Sequence, residues 1–286
     1  MILVIGATGT VGTHLVKGLR AQGVPLRVMT RTLDKASGLS AQGVEVVQGD
    51  LAQPETLDAA LDGADRAFLL SALDPNQVEL HGNFFSAAKK AGTSHVVRLS
   101  AIGARPDSPL TLGRWHGQVE KNLEESGVPF THLKPHFFMQ NLLFATETIR
   151  SQNSFFAPMG DAKIGAVDAR DIAAVAEKVL TEDGHQGKTY DITGPANLSH
   201  EEMARILSSA LGREVKFVDV PPDAAKQGML DAGFPEWLAD CLLELYGIYR
   251  EGKGEMVTNV VSAITGKEPR SFEQFAKDHI SAFQPA

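Results

Sequence analysis

Ile5-Gly6-Ala7-Thr8-Gly9-Thr10-Val11-Gly12 follows the apolar run Ile2-Leu3-Val4-Ile5 and leads straight into a segment of helical period. In that segment Val11, Leu15 and Leu19 fall at four-residue spacing and Gly23 lies just beyond its end. A glycine triplet alone carries little weight. Placed between a strand and a helix, it makes a turn whose backbone N–H groups and helix N-terminus converge on one place, as binding a pyrophosphate requires. Gly6 then makes the tight turn, Gly9 admits phosphates close to the backbone, and Gly12 lets the helix lie on the strands, with Thr8, Thr10 and Val11 completing the contact set.

Beyond the turn, short apolar runs alternate with helix-period segments, as parallel strands covered on both faces require. Strands are expected at 2–5, 26–30, 44–48, 67–70, 96–100 and 130–133, with helices between them. The fold class is α/β: a Rossmann-type, doubly wound parallel sheet with a smaller, mostly helical C-terminal lobe. A dinucleotide-binding domain is expected over 1–135 and a mainly substrate-binding lobe over 136–286, with a later strand at 188–193 open to rejoining the first domain. Ser199-His200-Glu201-Glu202 reads as a capping box that starts a helix ending at Gly212, and a strand is expected at 215–220.

Composition narrows the partners. The chain has 286 residues, 43% hydrophobic and 22% charged, with a net charge of −8. The sequence pI is about 5.6 and the mean hydropathy −0.09. Neither the charge nor any Lys/Arg run suits nucleic acid. No apolar stretch approaches a membrane span and the start lacks signal-peptide features, so a cytoplasmic protein is expected. The one cysteine, Cys241, lies in an apolar segment and reads as a buried, inert thiol. The 9 histidines show no metal-binding spacing, so no metal site is expected. Oligomeric state is not legible.

The second strand ends in Val28-Met29-Thr30-Arg31, where a site for NAD would carry a carboxylate for the ribose 2'-hydroxyl. Arg31 instead suits a 2'-phosphate, with Thr30, Thr32 and Lys35 as further donors, so NADP(H) is expected over NAD(H). Asp50-Leu51 follows the third strand, at the place for the adenine ring, although Asp50 can equally fix its own loop. Leu70-Ser71-Ala72 and Leu99-Ser100-Ala101 end the fourth and fifth strands at the carboxyl edge, which makes Leu70, Ser71, Ala72 and Ser100 cofactor neighbours by position.

The spacing Gly6-x-x-Gly9-x-x-Gly12 resembles the extended and atypical branches of the short-chain dehydrogenases/reductases. Short-chain reductases of the usual kind use a serine with a Tyr-x-x-x-Lys pair. Ser100 matches the serine, but the following helix carries Arg114-Trp115-His116-Gly117-Gln118-Val119-Glu120-Lys121 and no such pair. All three tyrosines, Tyr190, Tyr246 and Tyr249, lie far downstream. His116-x-x-x-Glu120, the stretch from Glu125 through Lys134-Pro135-His136-Phe137-Phe138-Met139-Gln140-Asn141, Asp168-Ala169-Arg170-Asp171-Ile172-Ala173 and Tyr190-Asp191-Ile192-Thr193-Gly194-Pro195 together resemble the NmrA-like family, over nearly the whole chain. That family includes quinone and triphenylmethane reductases and NADP-binding sensor proteins.

The resemblance implies that 135–141 crosses the nicotinamide end of the crevice. Pro135 and Phe137 then border the cofactor, Phe137 and Phe138 wall a flat acceptor, and His136, Gln140 and Asn141 donate to its oxygens. Each has a plainer role open to it: the phenylalanines as core, and His136 or His132, expected to point the same way, as a structural histidine. His116 and Glu120, one helical turn apart, are open to bonding each other, with catalysis at His116 or structure as the consequence. A quinone needs little acid catalysis, so the expected function is an NADPH-preferring reductase of quinone-like or cationic aromatic acceptors without a Tyr-Lys pair. The alternative is an NADP-binding redox sensor without turnover. A sugar epimerase or an isoflavone-type reductase fits less well, the latter because it wants a lysine near Glu120 and Lys121 is out of register.

Overall fold

The computed structural model describes residues 1–284. Its strands in chain order are β1 (Ile2–Ile5), β2 (Leu26–Thr30), β3 (Glu45–Gln48), β4 (Arg66–Leu69), β5 (His95–Leu99), β6 (Phe130–Pro135), β7 (Ser154–Ala157), β8 (Lys163–Ile164), β9 (Lys188–Ile192), β10 (Leu198–Ser199) and β11 (Lys216–Asp219). The longer helices are α1 (Thr10–Ala21), α2 (Gln77–Ala91), α3 (Thr111–Ser126), α4 (Ala169–Thr181), α5 (His200–Leu211) and α6 (Glu236–Ile248). The chain forms two compact units. The first takes 1–135, 169–192 and 263–266, and the second takes 136–168, 193–262 and the described residues from 267 onward.

The first unit holds a parallel sheet in the order β3-β2-β1-β4-β5-β6-β9. Every residue of β1 and β5 is buried, as strands covered on both faces must be. α1 lies along α4 and α2 along α3. Phe68, Phe84, Leu57 and Leu61 are among the fully buried side chains. Each such side chain contributes about 1.5–3 kcal/mol through burial. Strand order reverses between β1 and β4, and in open α/β sheets that reversal opens a ligand crevice at the carboxyl edge.

β4 and β5 begin one residue before the ranges read from sequence, and β6 runs two residues further, to Pro135. The cause is β9, which pairs Lys134 with Asp191 and Pro135 with Ile192. α4 belongs to the first unit although it lies within the half read as the substrate lobe: its buried face, which includes Ile172, Val175, Ala176 and Val179, packs against α1.

In the second unit β7 pairs with β11 in parallel and β8 with β10 antiparallel. The capping box that opens α5 is formed on both sides, Ser199 Oγ accepting from the Glu202 N–H and Glu202 Oε2 from the Ser199 N–H, and Gly212 closes the helix in the left-handed conformation. Phe155, Met159, Ile164, Met203, Leu207, Phe272, Phe275 and Phe283 fill the core. Cys241 is buried. Among the described residues no helix is long and apolar enough to cross a membrane.

Candidate functional site

The turn between β1 and α1 divides its glycines by what the fold asks of them. Gly6 has φ +82°, and a Cβ on it would run into the Leu70 carbonyl oxygen. A Cβ on Gly12 would run into the Gly6 carbonyl, so the helix comes this close to the turn only with glycine there. Gly9 is different. Its φ is −85°, a value open to any residue, and a Cβ would meet only the Gly6 oxygen, at 3.3 Å. Thr8, Gly9 and Thr10 are exposed, and Gly9 caps a helix whose first-turn N–H groups have no intrahelical acceptor. The protein's own packing accounts for Gly6 and Gly12. Open access of an anion to the helix N-terminus accounts for Gly9, so these residues fit a bound pyrophosphate.

Arg31 and Lys35 are exposed just past β2, and the Arg31 guanidinium has no ion pair or hydrogen bond among the described residues. Thr30 Oγ1 instead donates to the Thr32 carbonyl. Asp50 Oδ1 accepts from the Ala52 N–H at 3.0 Å, so this carboxylate does fix its own loop. Leu51 is buried. Leu70, Ser71 and Ala72 follow β4, and Ser100 follows β5, on the same edge of the sheet as the glycine turn.

Behind that edge lies a polar chain that sequence reading missed. His81 Nδ1 accepts from Arg98 Nε at 3.3 Å, which leaves the proton on Nε2 to donate to Ser71 Oγ at 2.9 Å. Arg98 Nη2 donates to His116 Nδ1 at 2.8 Å. Arg98 is fully buried, and burial draws its pKa down to about 10 while Glu120 acts in the opposite direction. Burial, then Arg98 and Lys134, hold His116 at about 3, and His81 is likewise pushed well below its ordinary value.

Glu120 does not bond His116. It accepts from Ser100 Oγ at 2.5 Å and pairs with Lys134 Nζ at 2.8 Å. The lysine sought near Glu120 is therefore present, supplied by β6. Lys121 pairs instead with Glu125. One signal for this cluster was readable: a charged residue inside an otherwise apolar strand, as in Val96-Val97-Arg98-Leu99 and Leu133-Lys134-Pro135.

In the second unit the segment after Pro135 pairs with Val167. The Val167 N–H donates to the Phe137 carbonyl, and the Met139 N–H to the Val167 carbonyl, both at 2.9 Å. His136 does not share a strand face with His132. β6 ends at Pro135, and His132 is buried in the first unit with Nε2 3.4 Å from Glu124 Oε1. His136 Nδ1 accepts from the Phe137 N–H at 2.7 Å, and its ring stacks on Tyr249 with centroids 5.5 Å apart. Burial lowers its pKa to about 4 against a backbone hydrogen bond at Gly254. Gln140 Nε2 donates to Asp168 Oδ1. Asn141 and Phe138 are half-buried, and Phe137 lies among the rings of His200, Tyr246 and Tyr249.

Residues 1–276 match the model of a family described as NmrA-like. The chain is 44% identical to the NAD(P)H azoreductase of Xenophilus azovorans over 286 residues, all of each chain. An Escherichia coli NADPH-dependent quinone oxidoreductase solved with NADPH superposes with a TM-score of 0.89 at 28% identity, covering 98% of this chain and 100% of the other. A Citrobacter triphenylmethane reductase solved with NADP(H) gives 0.85 at 27% identity, over 97% and 99% of the two chains.

Proposed function

This chain belongs to the NmrA-like family, and from that premise we propose that it is an NAD(P)H-dependent reductase that prefers NADPH and passes hydride to flat aromatic acceptors of quinone, azo or cationic dye type. The observation that carries the reading is the β1–α1 turn, open at Gly9 on the edge where the sheet order reverses. In this reading the turn from Gly6 to Gly12 holds the pyrophosphate through its N–H groups. Arg31, with no partner of its own, takes the 2'-phosphate together with Lys35. Asp50 and Leu51 border the adenine, and Leu70, Ser71, Ala72, Ser100 and Pro135 border the rest of the dinucleotide. When bound, the cofactor supplies the hydride.

The proton inventory favours an acceptor that needs little acid. Ser100 donates its proton to Glu120, and Lys134 is neutralised by the same carboxylate. Ser100 therefore offers lone pairs rather than a proton. His116 and His136 stay neutral at physiological pH, and each has Nδ1 committed to a donor. A quinone, whose reduced form is a stabilised phenolate that water protonates, fits such a site; a simple ketone does not.

Two measurements test the proposal. Purified protein is expected to oxidise NADPH when given a quinone, an azo dye or a triphenylmethane dye, and no acceptor-dependent turnover across that panel refutes it. Arg31→Ala is expected to weaken NADPH about 10- to 100-fold and NADH by less than about twofold, the loss of a charge-assisted contact to one phosphate. Equal losses for the two cofactors refute the 2'-phosphate assignment.

A further inference from the structure

We infer that the hydroxyls of Tyr249 and Tyr246 are the hydrogen-bond donors that receive the electron acceptor, selecting flat aromatic molecules that carry an oxygen or azo nitrogen able to accept. The inference rests on the reductase reading and adds to it the groups that recognise the acceptor.

The hydroxyls of Tyr249 and Tyr246 are not among the buried polar atoms left without a partner, so a molecule outside the protein reaches them. Tyr249 is 8% exposed, and neither its hydroxyl nor that of Tyr246 has a hydrogen-bond partner among the described residues. The rings, by contrast, are firmly held. Tyr249 stacks on His136 at 5.5 Å and 18° and meets Phe137 edge-on at 6.3 Å and 83°, while Tyr246 lies 6.5 Å from Phe137. Gly254 passes so close that a Cβ there would meet the Tyr249 ring.

The backbone departs from regularity at the same place. α6 carries Tyr246 and ends at Ile248, and the segment that follows, Tyr249–Lys253, kinks at Gly252, which has φ +77°. Spacing of three residues keeps the two phenols neighbours. Burial pushes the Tyr246 phenol up to about 12 and the Tyr249 phenol further in the same direction, so both remain protonated donors at neutral pH.

His136 offers no competing donor at Nδ1, which already accepts from the Phe137 N–H. Beside the ring of Phe137, the Tyr246 and Tyr249 hydroxyls are donors with no protein partner among the described residues. A quinone or azo compound stacks on its rings and accepts from those hydroxyls. The central carbon of a triphenylmethane cation has no lone pair and gains nothing from them. Both tyrosines keep their protons, and the reduced acceptor takes its proton from water.

The test uses Tyr249→Phe, Tyr246→Phe and the double variant of the full chain. With NADPH and a naphthoquinone, kcat/KM is expected to fall about 10- to 30-fold for Tyr249→Phe, while kcat/KM for crystal violet stays within about twofold. Calorimetry with the naphthoquinone and NADP⁺-loaded protein is expected to show a loss of affinity of the same size. Thermal midpoints are expected to stay within about 2 °C of the parent, because the hydroxyls stabilise nothing in the protein itself. Equal losses on both acceptors, unchanged naphthoquinone affinity in the double variant, or no naphthoquinone binding by the parent would each overturn the inference. A parent that binds the naphthoquinone but transfers no hydride would remove the reductase reading, and the affinity comparison would still decide the role of the hydroxyls.

Discussion

Two regions of this molecule bury polar side chains, and they treat them in opposite ways. Behind the carboxyl edge of the sheet, Ser71, His81, Arg98 and His116 form one continuous chain of hydrogen bonds, and Ser100, Glu120 and Lys134 form a second cluster beside it. Around His136 and Phe137, the rings of Tyr246 and Tyr249 are fixed by aromatic contacts while their hydroxyls are left without partners. Polar groups that close on one another hold shape, and removing any member exposes the others. Groups left open in an otherwise ordered setting call for a separate explanation, and a ligand is the one proposed for these hydroxyls. The glycine turn repeats the distinction on a smaller scale, with Gly6 and Gly12 demanded by backbone contacts and Gly9 not.

Acid is the broadest way to break the fold, because buried histidines lie in both regions. His95, His116, His132, His136 and His200 are each lowered from 6.5 to about 3 or 4, chiefly by burial. A histidine neutral in the fold and protonated when unfolded contributes stability that is complete above its unfolded value. That stability is lost as pH falls from about 6.5 toward the folded value, at up to ~1.4 kcal/mol per pH unit for each group. Together they are expected to remove several kcal/mol between pH 7 and 5, lowering the thermal midpoint by about 10 °C or more. A midpoint that stays level or rises toward pH 5 contradicts this account. The phenols titrate far above that window and take no part in it.

Arg98→Met comes next in size. It strips His81 and His116 of their donor and removes the buried cation that acts on Glu120. Breaking a buried charged network by taking out one partner costs about 3–5 kcal/mol. Urea denaturation of this variant beside Tyr249→Phe sharpens the contrast directly: a large loss is expected from the closed region and almost none from the open one. An Arg98→Met protein as stable as its parent would show that the network holds nothing.

The strands were legible because parallel strands buried on both faces leave short apolar runs, and 2–5 and 26–30 coincide with β1 and β2. The end of β6 was not legible. It depends on β9, a segment remote in sequence whose pairing extends the strand to Pro135. Nor was the membership of α4, since an apolar stripe fits any core and only packing against α1 decides. The glycine turn between β1 and α1 and the place of Arg31 just past β2 could be read because both depend on local sequence. Lys134 with Glu120, and Tyr249 with His136, are brought together by the fold from separate elements, and helical or strand register relates neither pair. The bond left open between His116 and Glu120 does not form, for the complementary reason. Helix spacing permitted it, but Arg98 and Lys134 from neighbouring strands offered charged partners to each.

The smallest expected effect on stability belongs to Gly9→Ala. Its φ of −85° suits alanine, and the one contact for the new methyl group, 3.3 Å from the Gly6 carbonyl oxygen, asks for a shift of a few tenths of an ångström. Alanine also narrows the unfolded ensemble, which stabilises by about 0.4–1 kcal/mol where the backbone is compatible. The two effects oppose, so the thermal midpoint is expected to stay within about 2 °C of the parent. Cofactor affinity is expected to move much further, falling about tenfold for NADPH and NADH alike, because in the proposed reading the methyl group stands where the diphosphate common to both approaches the backbone. Titration of each cofactor alongside a thermal melt makes the check. If Gly9→Ala binds both as tightly as its parent, the mouth of the turn is not where the phosphates enter, and the distinction between glycines the fold uses and the one it leaves open loses its meaning.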